Sequence, residues 1–196
     1  PNASLMNAAF IGYGTLTFLF ALGLRRALVA ARGASPGPAY LAGSGIAVAL
    51  LGVEWLVALA LRGGPPLPEP VALRDEAPLF VRVHDLLALA AYVFGTLACF
   101  ATAATVRSDP RWRGYDVYSL WSGFLAAGLI GSSLLVDVRF PQALAAVGVG
   151  DGTLPAVLGL AQRVLTLDLE VWVAVIAARL LFLSRAHVLA AASRIG

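Results

Sequence analysis

Five long apolar stretches run along this chain, separated by polar segments rich in arginine, proline and glycine. A helix crosses a bilayer with about 20 predominantly apolar residues, and each stretch meets that length. The predicted spans are about 7–29, 40–61, 83–106, 117–136 and 158–184. The fold class is therefore an all-α polytopic transmembrane bundle, with residues 1–196 forming a single helical domain. Strong breakers mark the connections: Gly33, Pro36, Gly37 and Pro38 after the first span, and Pro65, Pro66, Pro68, Pro70 and Pro78 after the second. Proline removes a helical hydrogen bond, so the second connection reads as an extended surface loop. Ser108, Asp109 and Pro110 close the third span. The connection after Asp137 has room for a short interfacial helix around Gln142 to Val147. A fifth helix from about Pro155 to Leu189 exceeds a hydrocarbon core of roughly 30 Å, and the segment before Arg163 is expected to project from it.

Composition agrees with a bilayer and narrows the chemistry. Hydrophobic residues make up 60% of the chain and charged residues 13%, against about half and a quarter in soluble domains. All 14 basic residues are arginine, which removes Schiff-base, pyridoxal and lysine-base chemistry for want of an amine. No basic stripe suits a nucleic acid. The lone Cys99, inside the third span, can form neither an internal disulfide nor a cysteine metal cluster and reads as a packing residue. The two histidines, His84 and His187, are too few for the three protein ligands of a catalytic zinc site, and they belong to opposite membrane faces. No metal or cofactor is expected; a bound lipid is compatible with the pattern, whereas a pigment or quinone is not expected.

Arginine placement predicts orientation. The first span ends in Arg25, Arg26 and Arg32, while Arg107, Arg111 and Arg113 follow the third and Arg185 and Arg194 the last. These belong in the cytoplasm, giving an outside N-terminus and a cytoplasmic C-terminus in a bacterial inner membrane. Trp112, Tyr115, Tyr118 and Trp121 read as an aromatic belt where the fourth span enters. Arg179, on the inner half of the last helix, reads as a snorkelling side chain. Gly123, Ala127 and Gly131 on the fourth span, with Gly95 in a similar stripe on the third, are expected to let helices approach closely.

Charge inside hydrocarbon is costly, so the remaining polar residues mark the candidate site. In this topology Glu54, His84, Asp85, Asp137, Gln162, Arg163, Asp168 and Glu170 share the outer leaflet as a polar cluster. Arg163 and Glu170, seven residues apart, occupy one helix face, and Arg163 is expected to neutralise Glu54, Glu170 or both. His84 is the one visible general-base candidate. Adjacent helical residues point about 100° apart, so Asp85 is poorly placed to orient it.

The opening Pro1 to Phe10 with Tyr13 and Gly14, the isolated His84 at a helix start, and Gly159 to Arg163 followed by Glu170 and Trp172 resemble the bacterial and archaeal membrane proteins catalogued as domain of unknown function nine-nine-eight. The resemblance covers nearly the whole chain. It implies about six helices, one of them ahead of Pro1, and points to His84, Gln162, Arg163 and Glu170 among the polar positions. It implies no particular reaction. The resulting expectation is a non-catalytic accessory subunit of a membrane complex or a lipid- or small-ligand-binding bundle, with membrane lipids and other membrane subunits as partners. The alternative is a membrane-embedded hydrolase or transferase acting on outer-leaflet lipid with His84 as base.

Overall fold

The computed structural model describes residues 3–32, 35–62, 79–139 and 153–192. Five helices fill them: α1 (Ala3–Arg32), α2 (Gly37–Arg62), α3 (Leu79–Val106), α4 (Tyr115–Arg139) and α5 (Thr153–Ala192). No strand occurs among the described residues. The expected proline-rich loop and the interfacial helix at Gln142–Val147 lie outside them. Four helices carry stretches long and apolar enough to cross a membrane, Leu5–Leu28, Gly37–Glu54, Arg82–Val106 and Tyr115–Leu134. Within 159–186, the part of α5 whose side chains are described, no such stretch is found.

Packing follows chain order: α1 lies on α2, α2 on α3, α3 on α4 and α4 on α5, while α5 touches α3 and α1 more lightly. Every helix contributes to the buried centre, with Leu24, Leu41, Cys99, Ala126 and Trp172 among its members. The α1–α2 seam is the tightest. A Cβ added to Gly45 would stand 2.7 Å from the Gly14 carbonyl oxygen and the Phe18 nitrogen, and one on Gly52 would stand 2.8 Å from the Asn7 carbonyl oxygen. Only glycine permits such a backbone approach, the recurrent device of helix pairs in lipid.

The small-residue stripe expected on α4 divides. Gly123 faces the Phe100 ring, 2.9 Å from a Cβ placed there, whereas Ala127 is exposed and Gly131 has open space around it. On α3, Gly95 meets Leu169 of α5 at 3.0 Å from such a Cβ.

The α3–α4 turn is built from its own sequence. Asp109 caps a 3₁₀ turn, Pro110–Trp112, accepting the Arg111 backbone N–H at 3.0 Å, and its carboxylate takes the Arg111 guanidinium at 2.8 Å. That hydrogen bond, and then the carboxylate's charge, raise the guanidinium pKa above its ordinary value. Gly114, at φ 88°, supplies the left-handed residue that lets α4 begin. Arg179 of α5 donates to the Arg111 carbonyl and lies over the Tyr115 and Phe182 rings at 5.2 and 5.4 Å. It is thus a clamp on the turn rather than a snorkelling side chain. Trp112 is only 3% exposed and belongs to the core, so of the expected aromatic belt Trp121, 68% exposed, is the member that stands on the surface.

α3 and α5 run parallel, with Tyr92 beside Thr166 and Gly95 beside Leu169. From that register α5 outruns the end of α3 at Val106 by about a dozen residues, or roughly 18 Å. The overhang is C-terminal, the reverse of the expected projection before Arg163, because the Tyr92 and Gly95 contacts hold the first half of α5 level with the first half of α3.

Candidate functional site

At the end of the bundle where α2 finishes and α3 starts, Glu54 meets His84. The Glu54 Oε2 and His84 Nδ1 atoms are 3.4 Å apart, with the side chains 10% and 34% exposed. This is ion-pair distance without hydrogen-bond alignment, and both Glu54 oxygens are buried without a hydrogen bond among the described residues. Asp85 is exposed beside the pair and acts on Glu54 electrostatically. A protonated imidazole here neutralises the carboxylate. Equally, the carboxylate can hold the ring in one orientation, the role for which Asp85 is poorly directed.

Arg163 does not fill the expected place as counter-charge to Glu54. It is exposed and makes no ion pair among the described residues. The reason is helix order: α2 packs on α1 and α3, while α5 leans on α4.

The other polar residues of α5 serve different contacts. Thr166 gives its hydroxyl proton to the Gln162 carbonyl at 2.9 Å, so the Tyr92 hydroxyl donates to Thr166, also at 2.9 Å. The Gln162 amide reaches the same tyrosine oxygen at 3.4 Å. Asp168 sits against Ser122, within electrostatic reach of Cys99 and Tyr118, and its Oδ2 is buried with no hydrogen-bond partner among the described residues. Cys99 and His84 are separated on α3 by about 20 Å of helix, so Asp168 and the Glu54–His84 pair occupy different depths. Glu170 is exposed and faces Tyr13 of α1. Asp137 lies near the end of α4, with its side chain outside the described residues.

Two buried polar contacts between helices give no sign in the sequence. The Trp172 indole N–H donates to the Ser119 hydroxyl at 2.9 Å, both residues being fully buried, and the Ser44 hydroxyl donates to the Ala91 carbonyl at 2.9 Å. Serine in an apolar run gives little warning of its partner. The α1–α2 seam had a clearer signal, since Gly45, Ala49 and Gly52 recur on one face of α2. Among the described residues no three His, Cys, Asp or Glu side chains converge as a metal site.

Some of the residues behind the family resemblance fall at helix contacts, while others, Leu5, Met6 and Arg163 among them, are exposed. Asn7 and Gly14 are buried against α2, Tyr13 faces Glu170, and Trp172 joins α5 to α4. Neither the curated proteins nor the solved structures contain a match to this chain. The family model described as Protein of unknown function (DUF998) matches residues 1–179, and the chain belongs to that family.

Proposed function

We propose that the protein is a non-catalytic accessory subunit of a membrane complex, joined to its partner through the face of α5 that carries Arg163 and Glu170. One observation carries this reading: Glu170 is exposed at a depth where lipid tails would lie beside it, with the Tyr13 phenol of α1 within electrostatic reach but no ion-pair partner among the described residues. Its neighbour Leu169 packs on Gly95, near the middle of the Arg82–Val106 stretch. A charged side chain at mid-bilayer costs about 2.5–3.5 kcal/mol on insertion scales. A lipid head group stays at the interface and cannot relieve that cost, and the Tyr13 phenol carries no opposite charge, whereas a cationic side chain on a partner's helix can compensate it. Hence a protein partner is favoured over lipid binding on this face. The arginine-rich end, with Arg25, Arg26, Arg107, Arg111 and Arg113, would face the cytoplasm of a bacterial inner membrane and place the C-terminus there.

The test is native mass spectrometry of the particle extracted gently from its own membrane, for the wild type and for Glu170→Leu. A larger assembly from which Glu170→Leu releases a still-folded chain is the expected result. A chain that runs alone in both cases overturns the reading.

The Glu54–His84 contact favours one second reading, a hydrolase or transferase acting on outer-leaflet lipid with His84 as base and Glu54 as its orienting carboxylate. It requires a lipid product that disappears in His84→Ala and falls in Glu54→Gln. Unchanged turnover in His84→Ala would eliminate it.

A further inference from the structure

A cleft of about 380 Å³ opens between the end of α3 and the start of α4, lined by no residue of α5. Its walls are Phe100, Ala103, Ala104, Val117 and Leu120, and its rim carries Arg107 and Asp116. The volume lies within the range of about 300–1,000 Å³ typical of ligand pockets. The two charged groups are not paired with each other, and neither makes an ion pair among the described residues. Arg107 directly follows the apolar stretch ending at Val106, and Asp116 is the second residue of the one beginning at Tyr115. Both therefore stand at the level where hydrocarbon gives way to head groups. From there the apolar walls descend, Leu120 about one turn below Asp116 and Phe100 about two turns below Arg107.

An apolar slot with a guanidinium and a carboxylate at its mouth is complementary to a molecule that is apolar at one end and doubly charged at the other. We infer that the α3–α4 cleft binds a zwitterionic phospholipid with a primary amine, a phosphoethanolamine head group. The phosphate lies on Arg107, the ammonium on Asp116, and an acyl chain lies against Phe100, Val117 and Leu120. The geometry discriminates against neighbouring lipid chemistries. A phosphoglycerol head group puts no cation beside Asp116, and a phosphocholine cation has no N–H to donate to a carboxylate. Guanidinium–phosphate and ammonium–carboxylate contacts are both charge-assisted, the stronger class of hydrogen bond. This site is independent of the partner proposed for α5, and either can fail without the other.

The experiment incubates the full chain in detergent with an equimolar mixture of phosphatidylethanolamine, phosphatidylglycerol and phosphatidylcholine and weighs the retained lipid by native mass spectrometry. The wild type is expected to retain phosphatidylethanolamine over the other two by roughly tenfold, the scale of one charge-assisted hydrogen bond. Asp116→Asn should abolish the preference over phosphatidylglycerol. Arg107→Gln should weaken retention of all three, and Arg107→Lys should restore it in part. Leu120→Trp, which fills the slot, should lower retention while leaving the rim charges in place. Thermal melting of each variant identifies any that fail to fold. Equal retention of the three lipids by the wild type, an unchanged preference in folded Asp116→Asn, or unchanged retention in folded Leu120→Trp overturns the proposal. So does a cross-link from Val117→Cys to a second copy or to another protein seated in the cleft.

Discussion

The α1–α2 pair and α5 are held to the bundle by opposite means. Between α1 and α2 the backbones themselves touch, through Gly14, Gly45 and Gly52, and the seam needs no charged side chain. α5 stands further off and is attached by side chains: Thr166 to Tyr92, Trp172 to Ser119, and Arg179 to the α3–α4 turn. In lipid, where apolar burial between helices is no driving force, close packing and interhelical hydrogen bonds are the two available means. Packing of the first kind is intolerant of added volume but indifferent to polarity. Attachment of the second kind divides into separable bonds, each small, and leaves room for polar groups such as Asp168 and Glu170 that packing alone would exclude.

The contrast predicts graded mutational effects. Gly45→Leu is expected to be the most damaging, at about 3 kcal/mol or more, because the new side chain meets α1 backbone that cannot move aside. Denaturant unfolding in detergent would read this as loss of the cooperative transition. Trp172→Phe keeps most of the buried ring but removes the proton donated to Ser119, with an expected cost of about 1–2 kcal/mol in the same assay. Its rescue by Ser119→Ala, which removes the stranded hydroxyl, would assign the loss to the hydrogen bond. Tyr92→Phe should cost only about 0.6 kcal/mol, the average for an interhelical hydrogen bond in a membrane bundle. Gly131→Ala, which adds a methyl group in open space, should change stability by no more than about 0.5 kcal/mol. If Gly131→Ala proved as harmful as Gly45→Leu, α4 would be packing on a partner at that face, and its open stripe would need reinterpretation.

Helix positions were legible because apolar runs and their breakers act locally: the predicted starts and ends at 40–61 and 83–106 lie within a few residues of α2 and α3. Neighbour relations were not. Glu54 and Arg163 have the right charges to pair, but α2 borders α1 and α3, and His84 reaches Glu54 instead. Spacing along a helix states which residues share a face and leaves open what that face meets. That is why one small-residue stripe contains both Gly123, pressed on Phe100, and Gly131, pressed on nothing described. Depth was misjudged for the same reason. Asp168 lies beside Cys99 and Ser122 and not beside His84, since the register of α5 is set by its contacts with Tyr92 and Gly95.

The order in which the helices lean on one another also bears on how the protein is made. Each of α2, α3 and α4 packs chiefly on the helix synthesised just before it, so a segment leaving the ribosome finds its neighbour already in the membrane. Assembly can then proceed by a series of nearby encounters, with little loop-closure entropy at any step. α5 is the exception, since it must also find Tyr92, more than 70 residues upstream of Thr166 in the chain. Its polar contacts can form only when four helices are in place, which makes the docking of α5 the natural checkpoint of biogenesis.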